Sequence, residues 1–301
     1  SSPGEPMTTC ERRALRLYPH YFRNRRRRPT ETNQGQIEMK TYLSLGWGVQ
    51  SFTIAAMVAL GDLPPITAAI HADTTHESEH TYKFAEKWTA WLEARGVKVV
   101  TVKADNANLV ESLASGAKVI HPPVYAKNGN GVGQTRRQCT RHWKVVPMKR
   151  YIKPLLKRGE QAEQWIGIST DEILRAKDSD VKYIKHGFPL LDKCMSRADC
   201  IQWLETHGLE VPPKSSCTFC PFHNKRAWQE MKRRGGLDWQ DAIAADELIR
   251  HAQPDGKGIS LYIHSSGKPL AQAVTIPEDF GHEQGTFDLD NAACDSGHCF
   301  L

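Results

Sequence analysis

Between residues 41 and 168, short apolar runs alternate with longer segments of helical composition. The apolar runs are rich in valine, isoleucine and alanine and end at glycine or aspartate, as buried strands do. The longer segments end at glycines, which commonly terminate helices. The alternation predicts strands at 41–45, 66–71, 97–102 and 164–168, and helices at 50–60, 77–95 and 140–157, the last perturbed at Pro147 and Pro154.

The order of these elements predicts an α/β fold. Strands joined through helices by short connections favour a parallel sheet with helices on both faces, a Rossmann-like domain that we assign to residues 39–190. After Pro189 the pattern changes to short helices interleaved with cysteines, predicted at 197–207, 225–234 and 239–251. We therefore expect residues 191–301 to form a smaller, mostly helical, cysteine-rich C-terminal region. Segment 122–133, rich in glycine, asparagine and proline, is predicted to be a mobile loop over the site.

The net charge of +6 is concentrated at one end of the chain. Residues 1–38 hold eight arginines against four glutamates, a net +4. Such a segment cannot bury a core, so we expect a disordered, solvated extension, with contact to nucleic acid as the alternative. No apolar run of about 18 residues occurs, and no apolar signal segment follows the N-terminal charges. The sequence therefore predicts a cytoplasmic protein with no membrane partner.

The first strand is followed by the glycine turn, residues 46–51 (Gly-Trp-Gly-Val-Gln-Ser). In an open parallel sheet, ligands bind beyond the carboxyl ends of the strands. Glycines let backbone N–H groups face an anion, the next helix adds the positive end of its dipole, and Ser51 adds a hydroxyl donor. The turn is neither the dinucleotide fingerprint nor a Walker A loop. Alone it indicates an anion site, and an ordinary strand–helix turn explains the two glycines equally well.

Acidic and histidine side chains fall near the same predicted edge. Asp73 follows the second strand, and Asp171 and Glu172 follow the fourth, where carboxylates suit Mg²⁺ on ATP phosphates; helix capping is the alternative. His76 and His80 would share a helix face and could bind a metal, although solvated or ligand-lining histidines are more common. A basic cluster fits polyphosphate, a nucleic-acid backbone or a solvated helix face: Arg136, Arg137, Arg141 and Lys144.

Cysteines form two separate groups in the sequence. Cys217 and Cys220 make a CxxC pair, which could share a metal or form a redox disulfide. Cys139 and Cys200 are the candidates to complete a four-thiolate set, which suits an iron–sulfur cluster or zinc; free thiols are the alternative. Near the C-terminus, Cys294 and Cys299 could be carried to the active site by a mobile tail, and a disordered tail is the ordinary interpretation.

Several short motifs carry a family resemblance. Residues 44–51, Ser-Leu-Gly-Trp-Gly-Val-Gln-Ser, resemble the pyrophosphate-binding loop of the PP-loop ATP pyrophosphatase superfamily, in the form seen in phage-type members of the phosphoadenosine phosphosulfate (PAPS) reductase family. Trp47 departs from that form, where glycine is usual. Further matches occur in the family order: Asp73, 137–141 (Arg-Gln-Cys-Thr-Arg), 167–172 (Gly-Ile-Ser-Thr-Asp-Glu) with Arg175 downstream, and 196–200 (Ser-Arg-Ala-Asp-Cys).

The resemblance implies a site and its ligands. It implies ATP with Mg²⁺ at the turn, Asp171 and Glu172 as catalytic residues, and a [4Fe–4S] cluster rather than Zn²⁺ on the metal candidates Cys139, Cys200, Cys217 and Cys220. The residues that it assigns to nucleotide binding are Ser44, Gly46, Gly48, Val49, Gln50, Ser51, Asp73, Gly167 and Arg175.

Three functions are compatible with this sequence. The first is an ATP-dependent adenylating enzyme that transfers sulfur to a nucleotide or nucleic-acid-type acceptor, with a sulfur donor as partner. The second is a thiol-dependent sulfonucleotide reductase in which Cys299 attacks sulfur. The third is a nucleotide-binding protein without turnover.

Overall fold

The computed structural model describes residues 39–116, 120–128, 131–252 and 259–277. The strands are β1 (Thr41–Ser44), β2 (Ala68–Asp73), β3 (Val99–Lys103), β4 (Tyr125–Asn128), β5 (Gly131–Gln134), β6 (Ala162–Trp165), β7 (Ile184–Gly187) and β8 (Ser260–Tyr262). Five of them form one sheet in the order β3-β2-β1-β6-β7, with every neighbouring pair parallel. The four strands predicted from the sequence all lie in this sheet.

The α-helices are α1 (Val49–Leu60), α2 (Glu79–Glu93), α3 (Leu109–Ala114), α4 (Val146–Ile152), α5 (Pro189–Asp192), α6 (Arg197–Thr206), α7 (Lys225–Arg234), α8 (Gly236–His251) and α9 (Leu270–Ala273). On one face of the sheet, Leu43 packs in a core with residues of α1, α2 and α6. On the other face, Tyr42 packs with Met148 and Ile152 of α4. Because successive strand residues point to opposite faces, this pattern covers both faces with helices and confirms the predicted α/β fold.

Local signals in the sequence account for the helix ends that border the site. Gly61 ends α1 in the left-handed conformation, with φ of 85°. Ser78 caps α2 by accepting a hydrogen bond from the Thr81 N–H. Ser196 and Asp199 form a reciprocal capping box at the start of α6. The serine and aspartate of motif 196–200 therefore have a structural role, which is to begin a helix.

The predicted helix 140–157 is interrupted. Its first part, Thr140–Val145, is π-helical; α4 follows with Pro147 in its first turn, and Lys153–Leu155 is a 3₁₀ turn. Proline is tolerated in the first turn of a helix because its missing N–H has no intrahelical partner there. Both prolines named from the sequence thus coincide with changes of helix type.

A second hydrophobic core lies beside the sheet domain. It contains residues of α3, α7, α8 and α9 together with Trp143 and Phe219. A small antiparallel sheet, in the order β5-β4-β8, includes residues 125–128 and 131–134, so the prediction of a loop over 122–133 is wrong for these residues. The central strand β4 pairs with both β5 and β8, which composition alone did not indicate. No helix in the described ranges is long and apolar enough to cross a membrane.

Candidate functional site

The strand order reverses between β1 and β6, and the glycine turn lies at this reversal. Chain connections run outward to β2 and β3 on one side and to β7 on the other, which opens a crevice at the carboxyl ends of the two central strands. The loop after β6 closes on the turn: a Cβ atom added at Gly167 would lie 2.8 Å from the Ser51 backbone nitrogen. Only glycine allows this approach, so Gly167 and the turn are held together by their backbones.

The glycine turn is folded by hydrogen bonds within itself. The Gly46 N–H donates to the Ser51 hydroxyl oxygen at 3.2 Å, and that hydroxyl donates to the Gly48 carbonyl oxygen at 3.2 Å. Gly48 occupies the N-cap of α1 and supplies no side-chain cap. The first N–H groups of a helix have no intrahelical acceptor, so the start of α1 offers uncapped donors and the positive end of the helix dipole. The arrangement suits an anion.

Trp47 does not obstruct this anion site. Its backbone is left-handed, with φ of 56°, which explains why glycine would be usual there. The side chain is only 1% exposed, and its ring centroid lies 6.2 Å from that of His71 and 6.3 Å from that of Phe84. The indole is therefore packed in the core behind the turn, and Gly48 is the residue of the turn that stays partly exposed.

A buried ion pair lies next to the turn. The Lys144 ammonium is 3.2 Å from a Glu77 carboxylate oxygen, and both side chains are nearly inaccessible to solvent. His71 lies close to both, and its Nδ1–H donates a hydrogen bond to the Leu45 carbonyl oxygen at 3.1 Å. Burial lowers the pKa of His71, although the charge of Glu77 opposes that shift. Lys144, predicted as one member of a basic cluster, thus belongs to the interior of the site.

The CxxC segment docks on the same edge. Glu77 and Cys217 form an isolated antiparallel bridge, and the Thr218 N–H donates to the His76 carbonyl oxygen at 2.7 Å. The Ser215 hydroxyl donates to the Gly46 carbonyl oxygen at 2.7 Å. The Cys217 sulfur lies 3.3 Å from the Thr74 hydroxyl oxygen. A cysteine distant in sequence is therefore brought beside the glycine turn.

His76 anchors this docking instead of standing free for a metal. Its Nε2 accepts a hydrogen bond from the Leu109 N–H at 3.0 Å, so in the neutral ring Nδ1 carries the proton and donates to Asp241 at 2.8 Å. The Thr218 hydroxyl also donates to Asp241. His76 is 3% exposed and connects the loop after β2 to α3 and α8. Its role in the structure is to join the two cores.

The predicted carboxylates already have protein partners. Asp73 accepts hydrogen bonds through Oδ1 from the Thr75 N–H at 2.7 Å and the Tyr82 hydroxyl at 2.8 Å. Asp171 accepts from the Arg197 N–H at 2.9 Å, which caps the start of α6. Capping was the alternative interpretation of Asp171, although the helix it caps lies further along the chain than expected.

Glu172, Arg175 and Ser44 also have partners within the protein. Glu172 pairs with Arg175 at 2.7 Å; burial raises the pKa of Glu172, and the guanidinium opposes that shift. Ser44 is buried, and its hydroxyl accepts a hydrogen bond from the Gln164 amide at 2.6 Å. The Ser44 hydroxyl therefore serves the packing of β1 against β6. Val49 and Gln50 form the first turn of α1 and are buried.

The four predicted thiolate ligands do not form one site in the described chain. Cys200 is fully buried in the core between α1 and α6, and this burial raises its pKa to about 12. Cys139 packs against the second core. Across the described ranges, no group of three or more histidine, cysteine or acidic residues could hold a metal ion. This donor arrangement does not fit a four-thiolate cluster or zinc site. Cys294 and Cys299 lie outside the described residues.

Sequence reasoning missed three contributors to this edge: Glu77, Thr74 and Ser215. Glu77 was expected only as the start of a helix. Ser215 carried one usable signal, its position two residues before the CxxC pair. Nothing in the sequence indicated that this segment returns to β2.

No protein-family model and no curated protein matches the sequence. The solved structures that are similar to the chain include a reductase and a thiolase. A PAPS reductase from Candida auris, in a phosphate complex, is 13% identical, with 69% of this chain and 91% of that chain covered and a TM-score of 0.40. A U34-tRNA thiolase, NcsA from Methanococcus maripaludis with its [4Fe–4S] cluster, is 15% identical, with 80% and 83% covered and a TM-score of 0.35. At such low similarity, neither structure indicates what this chain does.

Proposed function

We propose that this chain is a PP-loop-type enzyme that binds ATP with its phosphates on the glycine turn and transfers the adenylyl group to an acceptor oxygen. The observation that carries the proposal is the uncapped start of α1 at the strand-order reversal, backed by the close approach of Gly167. A polyphosphate needs several aligned N–H donors, and the start of α1 supports such binding because Gly48 supplies no capping side chain there.

The chemistry asked of the site is positioning and charge neutralisation. An acceptor oxygen attacks the α-phosphorus, the bond to the bridging oxygen breaks, and pyrophosphate leaves with the electron pair. Backbone N–H groups at the start of α1 hold the polyphosphate in line for this attack. Asp73 would hold Mg²⁺, because both of its hydrogen bonds use Oδ1 and Mg²⁺ commonly takes one or two carboxylates beside phosphate oxygens. Bound Mg²⁺ would supply neutralisation of phosphate charge.

We further propose that the adenylated acceptor then receives sulfur. Sulfide would displace AMP from the adenylated acceptor directly, as the new bond to sulfur forms and the bond to the AMP oxygen breaks. A persulfide would attack with its outer sulfur, and a second thiol would then cleave the S–S bond, releasing the thiolated acceptor and leaving a disulfide. Cys217 supports this reading, since its sulfur lies beside Thr74 at the edge that carries the turn. The acceptor class we favour is a nucleotide or nucleic acid.

A second candidate, sulfonucleotide reduction, is favoured by the same cysteine. In that reaction a thiolate attacks the sulfur of PAPS, and adenosine 3′,5′-bisphosphate leaves with the electron pair of the broken S–O bond. A second thiol then attacks the sulfur of the first cysteine, which releases sulfite and leaves a disulfide. Because the CxxC segment docks beside the turn, Cys217 would be the attacking thiol in place of the tail cysteine Cys299.

The products distinguish the two candidates. The proposal predicts pyrophosphate from Mg·ATP when RNA is supplied as acceptor, and AMP in equal amount when sulfide is supplied with the RNA. Asp73→Asn should reduce this release at least tenfold, whereas the exposed Asp178→Asn serves as the matched control and should leave it unchanged. ADP and phosphate as the products would contradict adenylation. Sulfite release from PAPS, lost in Cys217→Ser, would favour the second candidate.

A further inference from the structure

A cavity of about 400 Å³ opens at the end of the sheet opposite to the glycine turn. It lies where the chain enters β6 and β7, and in a parallel sheet the amino ends of the strands face away from their carboxyl ends. We call it the basic cavity, because most of its charged lining residues are cations. Its charged and aromatic lining residues are Lys153, Lys157, Arg158, Lys182, Glu160 and Tyr183.

The charge of the basic cavity is not balanced locally. Its four cationic side chains are all exposed. Glu160, the one acid among the described lining residues, is already engaged: it pairs with Lys40 at 3.2 Å and accepts a hydrogen bond from the Lys157 backbone N–H at 2.7 Å. In the described part of the chain, none of the four lining cations takes part in an ion pair. The surface therefore carries a concentrated positive potential.

Two further features border the basic cavity. Lys40 is tied to its rim, where the ammonium also donates to the Leu155 carbonyl oxygen. The ammonium of Lys153 lies 5.9 Å from the ring centroid of Tyr183, so an aromatic ring stands among the cations. Concave shape, unpaired cations and an aromatic ring suit a polyanion that carries planar groups.

We propose that the basic cavity binds the sugar–phosphate backbone of a nucleic acid. Lysine and arginine contacts to phosphates fix a nucleic acid in position without reading its bases, and their strength falls with salt as counterions are released. Arg158 can hold one phosphate through two N–H groups, and the lysines act as point charges on its neighbours. The proposal goes beyond the ATP reaction and does not depend on it, because the basic cavity and the glycine turn occupy opposite ends of the sheet.

The test measures binding of a short RNA duplex to the full chain, without nucleotide, over a salt series. One variant reverses three lining charges: Lys157→Glu, Arg158→Glu and Lys182→Glu. A matched variant reverses three exposed cations elsewhere: Lys83→Glu, Lys225→Glu and Arg226→Glu. Both triples change the net charge equally, and thermal unfolding checks that each remains folded.

The cavity triple should weaken binding by at least tenfold and reduce the slope of log K against log salt by about two to three, since each phosphate contact contributes about 0.9. The matched triple should stay within about twofold of the unmodified chain. Equal losses in the two triples would overturn the proposal, because net charge alone would then explain binding. No loss in the cavity triple, or preferred binding of an acidic polypeptide over RNA, would overturn it as well.

Discussion

The Ser215 hydroxyl and the Gly46 carbonyl oxygen are joined by a hydrogen bond of 2.7 Å. Gly46 begins the glycine turn, and Ser215 lies two residues before Cys217. This contact, together with the bridge between Glu77 and Cys217, couples the position of the thiol to the shape of the anion site. Binding at the turn and the reactivity of Cys217 are therefore expected to change together.

Removal of the hydrogen bond between Ser215 and Gly46 should uncouple binding at the turn from the reactivity of Cys217. Ser215→Ala is expected to cost about 1 kcal/mol of unfolding free energy, the usual net value of one hydrogen bond. In the unmodified chain, Mg·ATP should slow alkylation of Cys217 by iodoacetamide, and this protection should be largely lost in Ser215→Ala. Peptide mass spectrometry measures both rates. Ser260→Ala, a serine of β8, is the matched control. Cys200 should stay unmodified throughout, because burial raises its pKa to about 12.

The buried pair of Glu77 and Lys144 should be costly to break from one side only. Either Glu77→Gln or Lys144→Met leaves an uncompensated buried charge, and each is expected to lose about 3–5 kcal/mol. The double variant removes both charges and should recover most of that loss. Urea unfolding of the four proteins gives the coupling free energy. Additive losses in the double variant would show that the two charges do not depend on each other.

Trp47 should support the turn from behind without touching the ligand. Trp47→Gly relieves a left-handed backbone but empties the space between Phe52, His71 and Phe84, so we expect a net loss of about 2–4 kcal/mol. Unfolding by urea measures this loss. At a temperature where the variant is still folded, its affinity for Mg·ATP should remain within about threefold of the original. A selective loss of affinity, with stability unchanged, would indicate that the indole contacts the nucleotide.

The buried His71 predicts a dependence of stability on pH. Burial lowers its pKa in the folded chain, so the unfolded chain binds more protons once the pH falls below the ordinary histidine value of about 6.5. The contribution of buried, neutral His71 to the free energy of unfolding is complete above that pH. It declines as the pH falls from about 6.5 towards the folded-state pKa. The charged groups around it are Glu77, Lys144 and Asp73. Urea unfolding between about pH 7 and pH 5 should give a smaller decline for His71→Gln than for the original chain; an equal decline would assign the effect to other groups.

The part of the fold that depends on local pattern was predictable from the sequence. Strands such as Ala68–Asp73 are apolar runs closed by a turn residue, and α1 ends at a glycine, so a short window of sequence contains the information. β7 could not be predicted in this way: Ile184–Gly187 (Ile-Lys-His-Gly) has only two buried positions and no apolar run. It becomes a strand because β6 offers it a partner.

The part of the site that depends on strand ends was also predictable from the sequence. The glycine turn and Gly167 each follow a central strand. Because the carboxyl ends of parallel strands lie at one edge of the sheet, residues that follow them come together there. The CxxC segment reaches that edge through contacts with residues more than a hundred positions away, which no local pattern encodes. Cys200 shares its residue type with Cys217, but it is buried in the apolar core that α6 forms with α1 and α2.

The most direct test of the central claim places a carboxylate at the start of α1. Gly48 has room for a side chain, because a Cβ atom there meets nothing within 4 Å. Gly48→Asp would put a good N-cap residue, with a negative charge, where we expect the phosphates of ATP. Gly48→Ala is the control that adds the Cβ atom without the charge.

Calorimetric titration of Mg·ATP into the three folded proteins decides the matter. We expect Gly48→Asp to keep or gain thermal stability while its affinity for ATP falls at least a hundredfold. Gly48→Ala should bind ATP within about tenfold of the original affinity. Unchanged affinity in a folded Gly48→Asp protein would contradict the claim that the glycine turn holds the phosphates.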